Sequence, residues 1–273
     1  VSKSPKKEAD GGEKMAKTVA FVNQKGGVAK TTTAVNLAAC LAKDGKRVLL
    51  MDIDPQGNAT SGLGFNRKEI ERCVYDVLIN GVSAEEVTLA TKYPQLSLVP
   101  ATIQLAGAEV ELVPDESRNA KLKQAIEPLS EKYDYIFLDC PPSLGLLTVN
   151  ALTAADGLIV PVQCEYYAME GLGQLMDTFN RVRESANPDL RIEGVLLTMF
   201  DPRTSLSVQV AKEVRRHLGT AVFKAVIYRN VRLSEAPSHG KSIFGYDRRS
   251  RGAKQYQELA KEFLARQKST GAK

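Results

Sequence analysis

Two lysines, a glycine pair and two threonines stand within eight residues, Lys25-Gly26-Gly27-Val28-Ala29-Lys30-Thr31-Thr32. Glycine lets backbone approach a phosphate with no Cβ in the way. Lys30 is spaced to reach the outer phosphates of a nucleotide such as ATP, and the Thr31 hydroxyl to ligate Mg²⁺. Downstream come three carboxylates, Asp52, Asp54 and Asp139. Asp52 and Asp54 alternate on one strand and share a side. A carboxylate near a terminal phosphate can orient a water, and Asp54, beside Pro55-Gln56-Gly57, is the candidate for that role. Helix capping and turn formation are the competing uses of both. Asp139 ends an apolar run, where it would hold Mg²⁺ through water, because that ion keeps much of its hydration shell.

These side chains need elements to hold them. Residues 18–22 are apolar and predict a buried strand; residues 33–42 have helical spacing and good helix formers. Strand, glycine-rich loop, Lys-Thr and helix make a phosphate-binding layout, with the helix N-terminus facing the anion. Residues 47–52 predict a second strand whose carboxyl end carries Asp52 and Asp54, the edge where an open α/β sheet places ligands. Residues 59–64 predict a small-residue loop. Short helices are expected over 74–80 and 84–91, a strand over 96–100, and helices over 103–113 and 121–131. The strand ending at Asp139 leads into Pro141-Pro142. Strands at 157–162, 192–199 and 222–227 alternate with helices at 172–185 and 205–218. The alternation predicts an α/β fold, a doubly wound, mostly parallel sheet covered by helices on both faces. Residues 1–16 are polar and predict a disordered lead, a natural extension or an appended remnant, with Met15 an alternative start. Residues 17–267 form one domain and 268–273 a flexible tail.

A chain of 273 residues can bury a large core, and its net charge of +5 suggests an anionic partner. From 224 to 273, twelve Lys or Arg face four Asp or Glu, a local excess of eight. The four cysteines are single and lack metal-ligand spacing, so buried, reduced thiols are expected. No apolar run reaches ~18 residues, and residues 1–16 hold no apolar signal core.

The pattern Lys-Gly-Gly-x-x-Lys-Thr resembles the deviant Walker A family of P-loop ATPases, which includes partition ATPases, the division-site ATPase MinD and the nitrogenase iron protein. Segments 25–32, 52–62, 136–147, 161–170 and 229–240 narrow this to the ParA/Soj chromosome-partition ATPases, over nearly the whole chain. The resemblance implies an ATP-dependent homodimer in which Lys25 reaches across to the partner's nucleotide. It implies binding to double-stranded DNA without sequence preference, and a slow ATPase stimulated by a ParB/Spo0J-type centromere-binding protein. It also implies a cytoplasmic, nucleoid-associated protein with no stable membrane association. Arg203 and Arg232 become the leading DNA contacts, with Lys241, Arg248 and Arg251 beside them. Arg229-Asn230, after the last strand, would lie near adenine. Tyr228 stands where relatives usually have Pro. His239 is expected to be a loop residue.

Ala29 is the other departure, since many relatives carry Gly there. If the loop needs positive φ at 29, Ala costs on the order of 1–2 kcal/mol; otherwise Ala stiffens it. Two other readings compete with the partition ATPase. One is a MinD-like membrane ATPase, using the apolar stripe Tyr256, Leu259, Ala260, Phe263 and Leu264. The other is a DNA-binding regulator whose hydrolysis Ala29 has impaired.

Overall fold

The apolar runs become strands buried on both faces, which is why they read as unbroken rather than alternating. In the computed structural model, which describes residues 15–270 without the side chains of 269 and 270, these are β1 (Lys17–Phe21), β2 (Val48–Asp52), β5 (Tyr135–Asp139) and β6 (Gly157–Gln163). The other strands are β3 (Leu89–Ala90), β4 (Leu96–Val99), β7 (Arg191–Phe200) and β8 (Val222–Tyr228). Between them run α1 (Lys30–Lys43), α2 (Asn58–Gly62), α3 (Val74–Ile79), α4 (Ala84–Val87), α5 (Leu105–Glu111), α6 (Lys121–Ile126), α7 (Leu146–Ala154), α8 (Ala168–Ser185) and α9 (Ser205–Leu218). After β8 come α10 (Val231–Glu235), α11 (Ile243–Tyr246) and α12 (Arg251–Thr270).

One sheet runs β3-β4-β2-β5-β1-β6-β7-β8, parallel except for the edge pair β3–β4. This is the doubly wound sheet the alternation predicts. Two cores flank it. One face packs α3 and α5 to α9 around Leu49, Met51, Ile136 and Leu138. The other packs α1 and α12 around Leu50, Phe137 and Phe223. Tyr256, Leu259 and Phe263 of α12 are fully buried, and the Phe263 ring meets Tyr135 at 5.4 Å between centroids. Burying each such side chain contributes ~1.5–3 kcal/mol. The stripe on the last helix is therefore core, and no described helix is long and apolar enough to cross a membrane.

Several local expectations differ. Residues 58–62 are helical, and Asp52, at the end of the preceding strand β2, accepts from the Thr60 N–H and hydroxyl within that helix. Residues 84–91 split into α4 and the short β3, whose two residues pair with Leu98 and Ser97. His239, expected in a loop, ends a 3₁₀ turn, Ala236–His239, that follows α10, where Asn230 Oδ1 accepts from Arg232 N–H; α11 comes next. Helix α7, unannounced by sequence pattern, is mostly buried, and its Thr148, Asn150 and Thr153 side chains all donate to backbone carbonyls. Ala16 is already tied in, its N–H donating to Ser130 O, and residues 268–270 continue α12. The disorder expected over 1–14 and the tail beyond 270 lie outside the described residues.

Candidate functional site

The carboxyl ends of β1, β2 and β5 meet at one edge. The β1–α1 loop turns there with Gly27 at φ 74° and Ala29 at φ 69°, both left-handed. Ala29 thus carries a Cβ in the conformation that glycine tolerates best, and it is the N-cap of α1. Side chains from distant strands and loops hold the turn. Asn23 Oδ1 accepts from Lys25 N–H at 3.0 Å while its Nδ2 donates to Pro161 O at 2.7 Å. The Thr198 hydroxyl, on β7, donates to Val28 O at 3.0 Å, and Lys30 Nζ donates to Lys25 O at 3.0 Å. A helix start leaves its first N–H groups without intrahelical acceptors, so the start of α1 is suited to an anion.

Three buried carboxylates stand beside Lys30. Asp52 accepts from Thr60 N–H at 2.8 Å and from its hydroxyl at 2.7 Å. Burial pushes its pKa up to about 6 despite those bonds. Asp139, opposite it in register, is fully buried; neither oxygen has a hydrogen bond of ordinary geometry, although the Thr31 hydroxyl is near enough to favour its charged form. Burial, followed by the Asp52 charge, drives its pKa well above the usual carboxylate range. Asp54 Oδ1 accepts from Gln56 N–H at 2.9 Å. Lys30 is lowered by burial, with Asp139 and Asp54 pulling the other way.

A cavity of about 400 Å³ opens over these groups. Of the sequence-derived candidates, Gly26, Gly27, Ala29, Lys30, Thr31, Thr32, Asp54 and Lys241 line it. Val28 is buried behind the loop. Lys25 does not line the cavity; its ammonium pairs with Glu165 Oε2 at 3.0 Å, beside a shallow groove lined by Tyr167 and Glu170. Tyr228 and Asn230 do not line it either. The Tyr228 ring lies under the Arg251 guanidinium at 3.6 Å, with Phe200 at its edge, and Asn230 is occupied capping α10. Lys241, expected from sequence as a DNA contact, is exposed and also lines this cavity, where the 3₁₀ turn packs against α2. The close approach of Gly240 to Gly64 permits this: a Cβ at 240 would lie 2.5 Å from Gly64 Cα. Arg203 is exposed and gripped by Asp201 at 2.9 and 2.7 Å, and Arg232 pairs with Glu235 at 3.0 Å. Arg248 is exposed.

Sequence reasoning missed Asn36, Asn58, Ser61, Met199 and Pro237 as lining residues. None carries a local chemical signal, and they reach the cavity from α1, α2, β7 and the turn after α10. It also missed Thr60 as the partner of Asp52.

The buried Asp139, whose oxygens lack a hydrogen bond of ordinary geometry and which has the Thr31 hydroxyl beside it, fits a cation site. Among the described residues no group of three or more His, Cys, Asp or Glu could hold a metal alone. An ion at this edge would take its remaining ligands from phosphate and water, as Mg²⁺ does.

A family model described as an AAA domain matches residues 16–192. Sporulation initiation inhibitor protein Soj of Bacillus subtilis (strain 168) is 61% identical over 251 residues, 92% of this chain and 99% of that protein. Chromosome partitioning protein ParA of Myxococcus xanthus (strain DK1622) is 51% identical, over 92% of this chain and 89% of that one. The solved structure of cobyrinic acid a,c-diamide synthase from Mycobacterium smegmatis, with bound ADP and magnesium, superposes with a TM-score of 0.83 at 39% identity, over 94% of this chain and 97% of that one.

Proposed function

Because the chain belongs to the family of the Soj and ParA chromosome-partitioning proteins, we propose that it is an ATP-driven DNA-partitioning ATPase. The observation that carries the nucleotide half is the buried Asp139 carboxylate, near the Thr31 hydroxyl but without a hydrogen bond of ordinary geometry, beside Lys30 and the left-handed loop. The relative solved with ADP and magnesium supports ATP and Mg²⁺ as the ligands here. That relative's name describes a different reaction, whereas the relatives of higher identity named above are partition and sporulation proteins.

In this reading the Lys30 ammonium neutralises the outer phosphates, and the α1 start binds them through its N–H groups. Thr31 and Asp139 would hold Mg²⁺, which supplies neutralisation of phosphate charge when bound. Asp54 orients the attacking water at the terminal phosphate. Lys25 leaves Glu165 and contacts the nucleotide of a second copy, closing a homodimer.

The output is non-specific binding to double-stranded DNA at the nucleoid in the cytoplasm. The excess of eight positive charges after residue 224 supports it, as do the exposed Arg203, Arg232, Arg248 and Arg251. Phosphate contacts need charge but no base-reading geometry. A ParB-type partner would stimulate hydrolysis and release the protein. The buried stripe on α12 leaves no observation in favour of a MinD-like membrane role.

The test is binding to an arbitrary DNA duplex without nucleotide and with ADP, ATP or a slowly hydrolysed ATP analogue, across a salt series. Tight, salt-sensitive binding only with the triphosphates is expected. Equal or absent binding in all four states would overturn the reading. Measured ATP turnover separates it from a regulator that has lost hydrolysis.

A further inference from the structure

The loop from Cys140 to Gly145 joins Asp139 to α7 and brings Pro142 to the cavity wall. Its far end rests on a side chain from outside the motifs. Glu109, on α5, lays its carboxylate against Gly145, the N-cap of α7. The contact is so close that a Cβ at Gly145 would overlap Glu109 Oε1 and lie 3.1 Å from both Cδ and Oε2. Glu109 Oε1 is buried and has no hydrogen-bond partner, and the residue as a whole is half-buried.

A buried carboxylate oxygen without a donor is costly unless the fold uses it. Here it stands at the positive end of a nine-residue helix, where the backbone N–H groups of the first turn attract negative charge. On the loop's other side, the Thr148 hydroxyl donates to Ser143 O at 2.7 Å, so loop and α7 move as one piece. Leu105, Ala108 and Leu112 of the α5 segment are buried in the core, which gives Glu109 a fixed base.

We infer that Glu109 is a positioning residue for ATP hydrolysis, setting the Cys140–Gly145 loop through its contact with Gly145 and the start of α7. The inference rests on the proposed ATPase reading. Glu109 lies away from the cavity lining, so its effect falls on the placement of the loop rather than on nucleotide affinity. Gly145 is required because any larger residue displaces the carboxylate.

The experiment compares the full chain with Glu109→Ala, Glu109→Gln, Gly145→Ala and the Glu109→Ala/Gly145→Ala double variant. ATP turnover is measured over a range of ATP concentrations, and thermal unfolding is followed without nucleotide. Misplacing a group at a phosphoryl-transfer site lowers turnover by ~10- to 100-fold. That fall in kcat is expected for Glu109→Ala, with KM for ATP within ~2-fold, since the binding groups are untouched. Gly145→Ala should match it, because the new Cβ evicts the carboxylate, and the double variant should add no further loss. Glu109→Gln keeps the shape and should retain part of the rate. Unchanged kcat in Glu109→Ala, multiplicative losses in the double variant, or losses that track the unfolding temperature alone would overturn the inference. A parent chain that binds ATP without hydrolysing it would overturn the ATPase reading, and this inference with it.

Discussion

Asp52 and Asp139 face each other across the parallel register of β2 and β5, both fully buried, yet their oxygens are treated oppositely. Asp52 is satisfied by Thr60, while Asp139 has only the Thr31 hydroxyl nearby and no hydrogen bond of ordinary geometry. The first carboxylate is fixed within the fold, and the second is the one proposed to hold a cation. Asp52 also raises the pKa of Asp139, so the bonded partner makes the other costlier to ionise.

Mild acid should stabilise the nucleotide-free protein. Both carboxylates have folded pKa values above the unfolded value, Asp52 at about 6 and Asp139 well raised. Between the unfolded and folded values the native state holds more protons, so stability falls as pH rises through that window. The carboxyls of Asp115 and Asp201, held down at about 2, act only at lower pH. Urea unfolding from pH 7 to about 5 should show rising stability, flattened in Asp139→Asn. A fall over that range in the parent would refute the assignment. Asp139→Asn should also lose Mg²⁺-dependent nucleotide binding.

Thr60→Val should destabilise by ~2–4 kcal/mol although it changes little volume. It removes the hydroxyl donor that Asp52 accepts at 2.7 Å, keeping only the backbone N–H of residue 60, and leaves Ala101 N–H without the Thr60 oxygen it reaches at 3.0 Å. Chemical denaturation measures it; a cost under ~1 kcal/mol would mean that Asp52 takes up its proton and relaxes instead.

Ala29→Gly should raise stability by ~0.5–1 kcal/mol. Relief of left-handed strain is worth ~1–2 kcal/mol, and greater freedom of the unfolded glycine takes back ~0.4–1 kcal/mol. Ala29→Val, β-branched at φ 69°, should lose stability. Unfolding midpoints of the three proteins test the order Gly, Ala, Val.

Asp54→Ala should keep ATP-dependent DNA binding and lose turnover by ~10²- to 10⁴-fold. Asp54→Asn preserves the acceptor for Gln56 N–H and separates turn formation from chemistry. Phosphate release near the parent rate in either variant would remove Asp54 from its proposed role.

The location of the phosphate loop, the carboxyl-edge aspartates and the sheet class were legible in sequence, because each depends on short-range rules. Apolar runs make buried strands, glycine pairs turn tightly, and strand ends carry the polar residues. The stripe on α12 was also readable, as periodicity, though its burial against Tyr135 and the sheet was a fact of packing. What sequence could not determine arises between residues far apart in the chain. Ala29 left two costs open until the loop, pinned by Asn23 and by Thr198 of β7, proved left-handed at that position. That Tyr228 lies off the cavity and Lys241 on it depends on Arg251 stacking over one and on the turn after α10 carrying the other to the cavity. That Asp52 is the better-bonded of the two strand-end aspartates depends chiefly on Thr60, eight residues away and brought back by α2. Local chemistry chooses the groups; the register and packing of the sheet decide which of them are left unsatisfied, and therefore available.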